Sequence, residues 1–195
     1  MNAVVSIRRA TVADAAALAA FGAKTFADTF GAFHSASDLA MHLAETFGVP
    51  QQRAELTDPA TVTLFVEIDG ALAGFTQVYA GEVPDCVTGP APIEIKRFYI
   101  DTPFHGQGVA QRLIDAAYAA GRERGAQTVW LGVWEHNPRA IALSAAGVHA
   151  GGGVHLHGGD RRDDGPALRA DALSARYLLA WPRRPAPPPP MPRGC

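Results

Sequence analysis

The chain has 195 residues, 48% of them hydrophobic, with a formal net charge of −2 and a pI near 6.4. That length and apolar content predict one domain with a sizeable core, or one domain plus a tail. The charge balance argues against a nucleic-acid partner, and no apolar run nears the ~20 residues of a membrane span.

The N-terminus lacks the charged and long apolar regions of a signal peptide, so a cytoplasmic protein is expected. Cys86 and Cys195 have neither disulfide-framework nor metal-ligand spacing. Val5–Arg9 reads as a first strand. Thr11 then reads as a helix N-cap, with Asp14 completing a capping box. Leu18, Phe21, Thr25, Phe26 and Phe30 follow at helical spacing. Ser37-Asp38 opens a second predicted helix with Leu39, Leu43 and Phe47 on one face. Pro50 opens a third, which Asp58-Pro59 closes.

Thr61–Ile68 and Ala71–Tyr79 are β-rich runs joined by Asp69-Gly70, a two-residue hairpin signal. A Gly/Pro-containing loop, 81–92, leads to a strand over Ile93–Ile100. The text FHGQGVAQRL begins at Phe104, and a helix is predicted from Val109 to Arg124. Gln127–Trp134 is another predicted strand, with Trp130 and Trp134 on one face. Asn137-Pro138 opens a helix to Ala146. Beyond it, 147–181 is Gly/His/Asp/Arg-rich without clear period, and 182–195 is a proline-rich, polyproline-type tail expected to be disordered.

A strand, a glycine turn and a helix in that order build an anion-binding corner. The helix N-terminus leaves N–H groups without partners and adds partial positive charge. Gly106 and Gly108 remove the Cβ atoms that would keep a phosphate away. Read alone, the turn fits a plain strand–helix connection equally well. It is no Walker loop, since no Gly-Lys-Ser/Thr follows, and Gln111 spoils a dinucleotide fingerprint.

The element order, HGQGVA at the turn and GVWEHNPRAIA after the next strand resemble the GNAT superfamily of acetyl-CoA-dependent N-acetyltransferases. TFADTFG at Thr25–Gly31, IEIKRFYI, and WLGVWEHNPRAIA at Trp130–Ala142 resemble its bacterial spermidine/diamine acetyltransferase branch. The resemblance runs from about Val5 to Ala142. It implies an α/β GNAT fold over 1–146, a central mixed sheet flanked by helices, with the last strands missing or disrupted. It implies acetyl-CoA as cosubstrate and transfer to a primary amine in a ternary complex, with no metal. Dimers are common in the family.

The resemblance also implies site residues. The backbone of His105, Gly106, Gln107, Gly108, Val109 and Ala110 would cradle the pyrophosphate. Phe98, Tyr99 and Ile100 would pair with the pantetheine arm, and Asn137 would touch it. This strand and the next splay apart in the family, opening a slot for the thioester. Glu94 and Glu135 are the candidate bases, each weighed against a solvated or hydrogen-bonded carboxylate; His136 shares the place of Glu135. Asp28, Glu45 and Glu55 would attract a polyamine, or lie on solvated helix faces. His149, His155 and His157 look like a metal cluster only by spacing, and the proline tail like an SH3-type ligand only by composition.

Two departures stand out. His105 occupies the place where the family turn has Gln or Arg. After AIA the family has Phe-Tyr, whose Tyr protonates the leaving thiolate, whereas this chain has Leu143-Ser144 and no tyrosine between Tyr118 and Tyr177. Reading the codons of Leu143–Gly159 one nucleotide later permits YRRxGFTRVGEYTFMVG, the family's expected helix end and final strands. Residues from about 143 therefore look frameshifted, which would make the histidine cluster accidental and leave a sheet edge bare.

Overall fold

The computed structural model describes residues 3–85, 87, 89–132, 154–156 and 170–173. The predicted helix at Asn137, the segments 157–169 and 174–195, and the side chains of the histidine cluster lie outside the described residues. The chain falls into two compact units. The first holds Met1–Gln77 and Arg97–Ala116, the second Val78–Lys96 and Ala117–Cys195.

In the first unit, β1 (Val5–Arg9) runs antiparallel to β2 (Thr61–Ile68), pairing Val5 with Ile68 and Arg9 with Leu64. Asp69 (φ 50°) and Gly70 (φ 81°) then turn the chain into β3 (Ala71–Tyr79), as the Asp-Gly pair predicts. Thr11 and Asp14 form the expected capping box, in which the Thr11 N–H donates to the Asp14 carboxylate at 2.7 Å; the Asp14 N–H also donates to the Thr11 backbone carbonyl at 2.9 Å. A 3-10 turn at Val12–Asp14 leads into α1 (Ala15–Phe30). Its buried stripe is Ala15, Leu18, Ala19, Gly22, Thr25, Phe26 and Phe30, the spacing of one helical face. Leu18 packs with Phe65 and Phe75, and Phe21 lies against that cluster.

Helix α2 (Ala36–Phe47) begins two residues earlier than Ser37-Asp38 suggested. Ser35 is the cap, because its extended backbone lets Oγ accept the Asp38 N–H at 3.2 Å. Its buried residues are His42 and Phe47, while Leu39 and Leu43 are only half-buried. Helix α3 (Val49–Thr57), with Pro50 in its first turn, buries Gln52 and Glu55. Glu55 is thus neither a solvated residue nor a free attractant for polyamines.

β4 (Pro92–Ile100) and α4 (Val109–Glu123) fall within a residue of their predicted bounds. Gly125, at φ 77°, closes the turn after α4, its N–H reaching the Arg122 carbonyl at 2.9 Å. In the second unit β5 (Thr128–Gly132) pairs in parallel with the start of β4. Trp130 is buried against Val87. Two short strands, β6 (Val154–Leu156) and β7 (Ala170–Leu173), pair in parallel, and β7 also covers Leu131 and Gly132 of β5. The edge expected to lie bare is therefore partly paired. Hydrogen bonding orders the strands β1-β2-β3-β4-β5-β7-β6.

Candidate active site

The glycine turn lies in the first unit, between the end of β4 and α4. Gly106 and Gly108 both sit at φ 75°, and a Cβ at either would meet open space. Both positions therefore need glycine for conformation, and the outer face of the turn is clear. The first intrahelical bond runs from the Arg112 N–H to the Gly108 carbonyl, at 3.3 Å. The N–H groups of Val109 and Ala110 precede it, so they belong to the unpaired first turn that favours an anion. The Gln107 side chain donates to the Pro103 carbonyl at 2.7 Å and so braces the turn from outside.

A second brace lies on the strand side. The Asp101 N–H donates to the Ala73 carbonyl of β3, and the Asp101 carbonyl accepts the Phe104 N–H, both at 2.9 Å. The Asp101 carboxylate accepts the Thr102 N–H at 2.8 Å and the Lys24 ammonium of α1 at 2.7 Å. Bonds to Asp101 and then Asp28 hold the Lys24 ammonium above the usual lysine value. His105 folds back so that Nε2–H donates to the Ile100 carbonyl at 2.8 Å.

Among the strand residues, Tyr99 turns its ring into the core, 5.4 Å from Phe75. Ile100 lies over Gly74, where a Cβ would come within 2.5 Å of its Cδ1. Phe98 is half-buried on the opposite face of the strand from Tyr99. The β4–β5 ladder pairs Pro92, Ile93 and Glu94 with Thr128, Val129 and Trp130. Among the described residues it goes no further, although β4 continues to Ile100 and β5 to Gly132.

Glu94 is half-buried at the last pair of that ladder. Burial pushes its carboxyl above the usual range, and Lys96 opposes this only in part. A carboxyl so shifted suits proton transfer nearer neutral pH. Glu135, His136, Asn137 and Ser144 lie outside the described residues.

A buried polar cluster around Arg97 is not legible in the sequence. Arg97 of β4 donates through Nη1 to Glu55 at 2.5 Å and to Gln77 at 2.9 Å, and its guanidinium lies 5.0 Å from the centre of the Phe47 ring. Gln77 bridges onward to Glu55 at 3.1 Å and Thr63 at 3.3 Å. Burial raises the Glu55 carboxyl, but the Arg97 charge and the bonds from Gln77, Arg97 and Gln51 outweigh it, leaving a net depression. The sequence signal was an arginine on the apolar face of Ile93, Ile95 and Tyr99, and it calls for a buried acid.

Residues 26–147 match the model of the acetyltransferase (GNAT) family. An uncharacterised N-acetyltransferase of Lactobacillus delbrueckii subsp. lactis is 34% identical over 121 residues, covering 62% of this chain and 70% of that protein. One from Mycobacterium bovis is 29% identical over 127 residues, covering 65% of this chain and 77% of its own length. The crystal structure of PaiA N-acetyltransferase from Thermoplasma acidophilum with coenzyme A has a TM-score of 0.67 at 15% identity, covering 80% of this chain and 93% of that one. An aminoglycoside N-acetyltransferase in complex with CoA has a TM-score of 0.60 at 13% identity, covering 75% of this chain and 88% of its own.

Proposed function

We propose that this chain, which belongs to the GNAT acetyltransferase family, transfers an acetyl group from acetyl-CoA to a primary amine of the polyamine or diamine class. The single observation that carries the cofactor reading is the turn His105–Ala110. Two glycines at positive φ, clear outer space and an unpaired helix start fit a pyrophosphate. The backbone of Phe98, Tyr99 and Ile100 offers an edge to the pantetheine arm. The short β4–β5 ladder supports the slot the family uses for the thioester.

When bound, acetyl-CoA supplies an activated acetyl group. Glu94 accepts the proton an ammonium must lose before it attacks, directly or through water. Glu135 is the second carboxylate assigned to this step, and Asn137 is assigned to the cofactor arm. A backbone N–H of β4 stabilises the charge that develops on the carbonyl oxygen as the amine nitrogen adds and the sulfur departs. The departing sulfur needs one proton. Ser144 stands where the family's tyrosine gives it, and a serine hydroxyl is a weaker acid.

That replacement favours a second reading, a catalytically impaired acyl-CoA-binding protein. Its origin is a shift of reading frame near codon 143. Determining the gene's DNA across codon 143 tests it: absence of the YRRxGF-type string in the shifted frame excludes the shift.

The function is tested by following thiol release from acetyl-CoA with spermidine, putrescine, an aminoglycoside and an N-terminal peptide. Acceleration by the polyamines above the others is expected. Cofactor binding without acceleration by any amine selects the impaired reading. A preference for the aminoglycoside overturns the acceptor assignment.

A further inference from the structure

We propose that Lys24 of α1 is a positioning residue for the cofactor, holding the Asp101 carboxylate and cancelling its charge beside the phosphate-binding turn. The inference rests on the reading of that turn as the pyrophosphate site. Asp101 caps the 3-10 turn Thr102–Phe104, which runs directly into His105. At ~2.0 Å rise per residue, that turn separates Asp101 from His105 by about 8 Å. An uncompensated carboxylate at that distance opposes the anion that the glycine turn attracts.

Asp101 is nevertheless useful as a carboxylate. Its Oδ1 accepts the Thr102 N–H at 2.8 Å and so fixes the approach to the turn. Lys24 resolves the conflict. It reaches the same Oδ1 at 2.7 Å from 77 residues away in the chain, and it also touches Asp28, one helical turn on, at 2.8 Å. The Lys24–Asp101 pair is neutral with Lys24 present and carries −1 without it. Lys24 side-chain exposure is 54%, so the pair adds little to folding. Its consequence lies in the field at the turn, within one Debye length at low ionic strength. The other titratable or charged side chains on this corner, His105 and Arg112, are exposed.

The test is calorimetry of acetyl-CoA binding to the full chain at low and at 1 M salt, with Lys24→Met, Lys24→Arg, Asp28→Asn and Lys24→Met/Asp101→Asn variants. At low salt, Lys24→Met should raise Kd about three- to tenfold, shrinking at 1 M salt as screening takes over. Lys24→Arg and Asp28→Asn should bind within about twofold of the parent, as should the double variant, whose corner lacks both charges. Acetyl-pantetheine, which carries no phosphate, should not distinguish Lys24→Met from the parent. Unchanged affinity in Lys24→Met, or a loss that neither salt nor Asp101→Asn relieves, overturns the inference and leaves the cofactor site standing. A folded parent that does not bind acetyl-CoA overturns both.

Discussion

Glu55→Gln should destabilise the fold more than any surface change of equal size. Glu55 and Arg97 have side-chain exposures of 9% and 6%, and their contact is 2.5 Å. Removing the Glu55 charge leaves the Arg97 guanidinium buried beside Phe47 and Gln77 without its carboxylate partner. Breaking a buried pair in this way costs about 3–5 kcal/mol. For a protein of this size that lowers Tm by about 2–4 °C per kcal/mol, or roughly 6–20 °C. Urea unfolding followed by circular dichroism, with calorimetry for Tm, measures it. Arg97→Met should cost a similar amount, while Glu55→Gln/Arg97→Met should recover most of the loss, because an uncharged cluster has no ion left to desolvate. The pH dependence has a defined sign. Because the Glu55 carboxyl is depressed in the fold, its contribution is present above the unfolded value of about 4.3 and is lost as pH falls through the lower folded value. Glu55→Gln should flatten that acid limb. A Glu55→Gln protein within about 0.5 kcal/mol of the parent, or fully additive losses in the double variant, would refute the argument.

Glu94→Gln should lower kcat about 10²–10⁴-fold if Glu94 is the base. In the parent, kcat/KM should rise with pH through a value above the ordinary glutamate range, and the variant should lack that limb. Retention of both rate and limb removes Glu94 from the chemistry. Gly22→Ala places a Cβ 2.5 Å from Phe47 Cδ1 between α1 and α2. It should cost about 1–3 kcal/mol by overpacking, and an unchanged denaturation midpoint would contradict that.

The elements that carried a strong local signal were legible in the sequence. Asp69-Gly70 can take the positive φ values a two-residue hairpin needs, so the pair located that hairpin. The glycine turn followed from two residues that both sit at φ 75°. The start of α2 lies two residues before the expected one, because Ser35 and Ser37 both resemble caps and only the bond to the Asp38 N–H distinguishes them. The buried roles of His42, Gln52 and Glu55 were not legible. Helical periodicity finds apolar stripes, whereas these residues are polar, and Glu55 is held by partners far along the chain. The Glu55–Arg97 pair spans 42 residues and Lys24–Asp101 spans 77, beyond the reach of any local pattern. The place of Glu94 in its strand is legible in the sequence, whereas its half-burial and raised carboxyl come only from packing.

The central claim is that the turn His105–Ala110 binds the pyrophosphate of acetyl-CoA. Its most direct test is a calorimetric titration of acetyl-CoA into the full chain, beside Gly108→Glu. That substitution puts a side chain at φ 75° and a negative charge on the open face of the turn. A single saturable site is expected in the parent and none in a folded Gly108→Glu protein. Equal binding by both, or no binding by a folded parent, would contradict it.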